Sequence, residues 1–357
     1  MRDNERHMQI EVMPGGQRAR GDDTVMRIGR RGLVQGGFSL AASLAVSTLP
    51  FASGVHASPL PRLEIWGPPA GPSITVLHAI ETGRLDEAAR RPILRVWRQV
   101  DEMRAGLTSG SFDVGIMPVP VAANLYNRGL GVRLVNVMTD GILYIMSTDP
   151  TLTTLSALKG RKLAALFPNE LPTLILNRLL RHQGIDPQKD IDVTATATPL
   201  EAMQFLVLGR VDAALVPEPA ASAAIVKGAI AGKTIHRVID LQSEWAKLKG
   251  GETRMPQAGL AVTDRFRAEH ADILAAVQSG LAEAVADVNA NPARAANNSA
   301  GQLGLPWPVI EKSIPYSRLV ATPAREVRQP VESVIETLLE ANPGYVGGRL
   351  PDADFYL

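Results

Sequence analysis

Two short apolar runs, Val114 to Met117 and Ala213 to Val216, each follow an amphipathic stretch that closes on Gly and Asp, and each leads into a Pro-x-Pro loop. Runs of four or five apolar residues without polar alternation suit parallel strands buried on both faces. Pro-x-Pro withholds donors from a sheet ladder and presets the turn into a helix. The pattern predicts helix, buried strand, loop and helix, twice over. The letters repeat as well: with an offset of 99, Glu102, Leu107, Gly110, Asp113, Pro118, Pro120, Ala122 and Gly129 recur as Glu201, Leu206, Gly209, Asp212, Pro217, Pro219, Ala221 and Gly228. That offset is too long for a solenoid repeat and fits a duplicated lobe. The loops after Met117 and Val216 then fall at carboxyl ends of parallel strands, where open α/β sheets bind ligands.

The flanking pattern extends both copies. Leu63 to Trp66 predicts a strand, residues 67–73 a Gly/Pro loop, and the following ITVLHAIETGRL a helix; Ile93 to Trp97 and Val132 to Val137 predict further strands. Ile142 to Ser147 is extended, apolar and placed to cross between lobes. The second copy runs from a strand at Lys162 to Phe167 through the helix LILNRLLRHQGI to a strand at Ile191 to Thr196, and its Pro172-Thr173 stands 100 positions after Pro72-Ser73. A charged, hinge-like passage follows Gly228 and reaches Arg254. Met255 to Val262 predicts a strand returning to the first lobe, Phe266 to Asn289 one long helix stopped at Asn291-Pro292, and Val327 to Glu340 a last helix before a Gly/Pro-rich tail. The expectation is an α/β chain of two lobes, each a mostly parallel sheet flanked by helices. Its first lobe begins at 58–148, the second is 149–250, and 251–357 return to the first.

Residues 1–57 read as an address. Arg27, Arg30 and Arg31 precede a mild apolar run broken by Gly and Ser, and Val55-His56-Ala57 fits a small-x-small cleavage site. Gly29-Arg30-Arg31-Gly32-Leu33-Val34 resembles a twin-arginine export signal. The apolar run is shorter than the ~20 residues of a spanning helix, which favours cleavage over an uncleaved anchor or a basic arm; whether the chain starts at Met1 or Met26 stays open. Removing these residues leaves 300 of the 357, enough for two lobes with their own cores.

Charge and composition narrow the partners. Lys plus Arg number 37 against 36 for Asp plus Glu, and no basic block survives outside the first segment, so neither nucleic acid nor an anionic membrane surface is indicated. The absence of cysteine excludes disulfides, thiolate chemistry, Cys-ligated metals and a lipid anchor on an N-terminal cysteine. The six histidines, His7, His56, His78, His182, His236 and His270, form no metal-spaced pair. No cofactor, metal or catalytic residue is expected.

Several features together resemble the substrate-binding proteins of ABC importers of the nitrate, taurine, sulfonate and thiamine-precursor type. They are Glu102…Leu107…Gly110…Asp113 before a loop and helix, its Asp212-Ala-Ala…Glu218-Pro219 echo, Gln257-Ala-Gly-Leu-Ala-Val, Asn289-Ala-Asn291-Pro292 closing a helix, and the Gly348-Arg-Leu-Pro351-Asp-Ala-Asp-Phe355-Tyr tail. The resemblance covers nearly all of 61–357. It implies a two-lobed, type II periplasmic-binding fold that closes over one small molecule, a monomer free in the periplasm, and an inner-membrane permease as partner. An enzyme on the same fold, such as the menaquinone-precursor dehydratases this architecture resembles, and an exported ligand sensor are the competing classes.

Candidate ligand residues are those at predicted strand ends and helix starts: Gly67, Pro69 and Ser73; Trp97; Pro118 and Val119; Thr139 and Asp140; Phe167, Asn169 and Glu170; Thr198; Glu218; and Gln257. Trp97 and Phe167 either wall a pocket or fill the core. Asp140 and Glu170 either ligate, cap helices or sit in solvent, and Glu218, between two prolines, makes a ligand or interlobe contact. Anion binders of the resembled family call for hydroxyls, backbone N–H groups and a basic residue. These loops offer mostly proline, apolar and acidic residues, with Arg98 the one basic residue in them, so a cationic, zwitterionic or largely apolar heteroaromatic ligand is expected.

Overall fold

The computed structural model describes residues 58–166, 170–251 and 254–357; the expected export segment lies outside them. The first lobe begins with β1 (Leu63–Gly67), α1 (Gly71–Glu81), β2 (Pro92–Val96), α2 (Val100–Ser109), β3 (Val114–Pro118), α3 (Val119–Asn127) and β4 (Val132–Thr139). The second holds β5 (Leu143–Ser147), β6 (Lys162–Leu166), α4 (Leu171–His182), β7 (Asp192–Thr196), α5 (Pro199–Val207), β8 (Ala213–Pro217), α6 (Ala220–Ile230), β9 (His236–Asp240) and α7 (Leu241–Leu248). The chain then returns as β10 (Ala258–Thr263), α8 (Asp264–Glu269), α9 (Ala271–Ala290), α10 (Pro292–Leu303), α11 (Trp307–Ser313), β11 (Leu319–Pro323) and α12 (Arg328–Ala341).

The first sheet has the order β11-β4-β10-β3-β1-β2 and the second β7-β6-β8-β5-β9. In the first, β10 runs antiparallel between β3 and β4; in the second, β5 runs antiparallel between β8 and β9. The lobes have thus exchanged a strand. Apart from β11 the two sheets follow one plan, with β1, β2 and β3 answering to β6, β7 and β8. The paired apolar runs behave as their composition dictates: β3 and β8 share the same burial, four buried residues and a half-buried proline at the carboxyl end.

Several expectations needed correction. β5 hydrogen-bonds in the second sheet, so the passage between sheets falls at residues 140–142, ahead of 148. Gly141 there has φ +137°, and a Cβ on it would lie 2.2 Å from Gln242 Oε1, so the crossing requires glycine. The charged passage before Arg254 contains β9 and α7. β9 is an edge strand with one fully buried residue, and α7 buries Leu241 and Trp245 beneath an otherwise polar surface. The long helix breaks at His270 into α8 and α9. Pro292 does not only stop a helix; it stands at the first turn of α10, where its missing N–H costs nothing.

One apolar cluster runs through both lobes: Val119 and Val137 of the first join Leu163, Ile175 and Trp245 of the second, with Val331, Val334 and Leu338 of α12 packed among them. A second cluster fills the space between the first sheet and α1, α9 and α10, and a third lies under α5 and α6.

α1, which begins at the crevice, is held from behind by His78. This ring is fully buried, with Nε2 2.9 Å from Asp287 Oδ2 on α9 and Nδ1 3.2 Å from Asn298 Nδ2 on α10. An amide nitrogen only donates, so Nδ1 accepts and Nε2 carries the proton given to Asp287. That hydrogen bond, followed by one from Asn291, holds the Asp287 carboxyl down at about 2. A depressed carboxyl stabilises the fold fully above its unfolded value of ~3.9, and the contribution is lost as pH falls through the folded value. The urea midpoint should therefore drop between about pH 4 and pH 2. Asp287→Asn should be less stable at neutral pH and flatter across that window, as read from urea titrations at stepped pH.

Candidate ligand-binding crevice

β1 to β4 run parallel in the first lobe, and β6 to β9 in the second, once the intervening antiparallel strands are followed. Their carboxyl ends carry the residues that meet across the lobes. Glu170, at the start of α4, accepts from Arg104 Nη2 of α2 at 3.3 Å and from the Tyr345 hydroxyl at 2.6 Å. The same Tyr345 oxygen accepts from Leu171 N at 3.0 Å. Burial, with the adjacent Glu170 carboxylate, holds the Tyr345 phenol protonated well above its ordinary range. On another side of the crevice, Asp240 at the end of β9 pairs with Arg318, just before β11, and the Tyr144 hydroxyl of β5 donates to Tyr316 O at 2.8 Å. Burial, chiefly, pushes the Tyr144 phenol up to about 12.

Glu218 lies in the turn between β8 and α6 and is fully buried. Arg237 of β9 reaches it with Nε at 2.7 Å and with Nη2, which also donates to Ser222 Oγ at 2.6 Å. Burial pushes the Glu218 carboxyl up while Arg237 and Ser222 pull it down. The arginine then passes the contact on: its guanidinium lies 3.7 Å above the Tyr316 ring of the first lobe. A fourth pair joins Asp140, at the end of β4, to Arg254 Nε at 2.9 Å, and Arg254 also donates to Thr322.

The remaining candidates divide by role. Ser73 is fully buried in the first turn of α1 and its Oγ has no partner; a Cβ on Gly67 would stand 2.5 Å from that oxygen, so glycine there admits the serine. Pro69 and Pro118 are half-buried at the crevice, and buried Val119 donates its N–H to Gln257 O at 3.0 Å. Gln257, 4 % exposed, precedes β10 at the carboxyl ends of β3 and β4, and its Nε2 has no partner. Thr139 is buried and spends its hydroxyl on Ser317 O at 2.6 Å.

Trp97 belongs to the core: it is 6 % exposed and its indole N–H donates to Ile116 O at 3.2 Å. Thr198 caps α5, its Oγ1 accepting from Glu201 N at 3.1 Å while Glu201 Oε2 accepts from Ala197 N at 2.8 Å. The sequence Thr-x-x-Glu is that of a capping box, but here the glutamate reaches the N–H one residue before the cap. Phe167 and Asn169 lie outside the described residues. Arg98 is exposed, with its backbone N–H on Glu102 Oε2 at 2.9 Å.

Sequence reasoning missed Arg104, Arg237, Arg254, Arg318 and the tyrosines 144, 316 and 345. These residues reach the crevice from elements distant in sequence, so no local spacing announces them. Surface hollows lined by Gly160 with residues 187–193, and by residues 107–110 with Gly131 and residues 263–265, lie at the opposite, amino ends of the parallel strands. Among the described residues no group of three His, Asp or Glu could hold a metal ion, and no helix is long and apolar enough to cross a membrane.

Two lobes with an exchanged strand and facing carboxyl ends define the type II periplasmic-binding fold. The chain is similar to an ABC transporter structure from Parabacteroides distasonis, with 21% identity, TM-score 0.69 and coverage of 83% of this chain and 98% of that one. It is similar also to the periplasmic aliphatic sulphonate binding protein SsuA from Escherichia coli, with 19% identity, TM-score 0.62 and coverage of 82% and 92%. The periplasmic nitrate-binding protein NrtA from Synechocystis PCC 6803 matches at 12% identity and TM-score 0.60, over 82% of this chain and 83% of its own. Among curated proteins, no sequence gives a significant match. The model of the NMT1-like family matches residues 98–301, more than half of the chain, and the chain belongs to that family.

Proposed function

We propose that the chain is the exported substrate-binding component of an ABC importer. It captures one small molecule between its lobes and delivers it to a permease in the inner membrane. The observation that carries this reading is the exchanged-strand architecture: two sheets joined through the crossing at 140–142 and the return before β10, with interlobe contacts gathered at the strand ends. Such lobes close on a ligand that binds the closed arrangement better than the open one. Binding without chemical conversion follows, with residues 1–57 directing export to the periplasm by the twin-arginine route and the protein acting as a monomer. The structural neighbours named for ABC transport, sulphonate binding and nitrate binding support the same reading by likeness of fold.

Native mass spectrometry of protein purified from the periplasm of its own host tests this. The expected result is a non-covalent small-molecule adduct, lost on denaturation and chemically unchanged by the protein. Turnover of the released molecule would replace transport with the enzyme reading.

A further inference from the structure

The four acidic residues that the described strand ends bring to the crevice, Asp140, Glu170, Glu218 and Asp240, are each matched by an arginine. We infer that the crevice takes an uncharged small molecule that accepts a hydrogen bond, rather than an anion or a cation. This rests on the binding reading above and narrows it to a ligand class.

An anion needs a free cation or free N–H groups, and helix starts at strand ends are the ordinary source of the latter. Here proline or an acceptor within the protein removes one or more donors at each of four such starts. At α1, Pro72 has no N–H and Ser73 N is taken by Ala70 O at 3.0 Å. At α3, Val119 N is taken by Gln257 O at 3.0 Å and Pro120 has none to give. In the second lobe, Leu171 N of α4 is taken by Tyr345 and is followed by Pro172, and Ser222 N of α6 is taken by the Glu218 carboxylate at 3.1 Å. α2 opens instead with Asp101 and Glu102, whose charge occupies the positive end of that helix. Arg98 is exposed beside Glu102, and Phe167, Pro168 and Asn169 carry no charge.

A cation meets the mirror of this difficulty, because Asp140, Glu170, Glu218 and Asp240 are each already held by a guanidinium and Glu102 accepts from the Arg98 backbone N–H. Either kind of ion would have to enter a balanced crevice unpaired or pull an arginine from its partner, and burying an unpaired charge is strongly unfavourable. Among the buried groups without a partner are two neutral donors at the crevice, the Gln257 side-chain nitrogen and the Ser73 hydroxyl. Buried polar groups left without partners are costly, and an uncharged acceptor on a ligand would satisfy them without disturbing the four pairs.

The test is thermal unfolding of the full chain at constant ionic strength with sodium nitrate, methanesulfonate, taurine, putrescine, nicotinamide, cytosine and thymine, each at the same concentration. An uncharged probe at ~100 times its Kd should raise Tm by about 5 °C, with the charged probes silent. Gln257→Met should then weaken that probe about tenfold. An equal or larger shift with nitrate, methanesulfonate, taurine or putrescine overturns the inference and leaves the binding reading standing. Silence across the panel passes the decision to the molecule retained by the native protein. An uncharged one at pH 7 supports the inference, a charged one overturns it, and no retained molecule at all defeats both readings.

Discussion

Replacing Arg237 with leucine should destabilise the fold by about 3–5 kcal/mol at neutral pH, the usual cost of stripping one partner from a buried ion pair. Glu218 is fully buried and Arg237 supplies two of its hydrogen bonds, a third to Ser222, and the stacking contact with Tyr316. Without the guanidinium, burial is opposed only by Ser222 and the Glu218 carboxyl rises further. The sign of the pH dependence follows. A folded-state carboxyl raised above its unfolded value leaves stability intact below the unfolded value, near 4.3, and removes it as pH rises through the folded one. The deficit of Arg237→Leu should therefore shrink at pH 5 and grow toward pH 8 in urea titrations. Adding Glu218→Gln should recover part of the loss, because the uncompensated charge is then gone; strict additivity of the two changes would argue against coupling.

Removing both interlobe arginines, Arg104→Ala with Arg318→Ala, should weaken ligand binding about tenfold while leaving each lobe folded. Arg104 and Glu170 are partly exposed, as are Arg318 and Asp240, so each pair is worth roughly 0.2–1 kcal/mol after solvent screening. Both pairs join residues of different lobes and are lost when the lobes part. Their removal lowers the population of the closed arrangement, and apparent affinity falls by the same factor. With no shared partner, the single variants should each contribute separately and nearly add. Isothermal titration with the identified ligand reads the affinity. Small-angle scattering on the ligand-free double variant should show a larger radius of gyration than the parent.

The two-lobed plan was legible because its determinants are local. β3 and β8 are short apolar runs with prolines at their carboxyl ends, and the offset of 99 carries the same punctuation to both copies. β9 and α7 were not legible, since an edge strand with one buried residue and a helix resting on Leu241 and Trp245 leave too few apolar positions to set a period. At the crevice, position along a strand predicted proximity but not role. Thr198 and Trp97 stand at strand ends, yet one caps α5 and the other turns into the core. The Thr-x-x-Glu spacing could have separated Thr198 from the ligand candidates. Arg237 and Arg318 could not have been assigned to Glu218 and Asp240 without the fold, because the pairing depends on which strands the sheets bring together.

The central claim is that these lobes close on a small molecule, and a distance between them tests it most directly. The chain has no cysteine, so Glu283→Cys on α9 and Lys189→Cys after α4 place two labels uniquely, one on each lobe, at exposed positions. Electron–electron distance measurements on protein from its own host should give one short, narrow distribution. Stripping bound molecules by unfolding and refolding should lengthen and broaden it, and returning the released small-molecule fraction should restore it. A distribution that stays the same through stripping and return would mean that the lobes do not close on a ligand, and would contradict the solute-binding function.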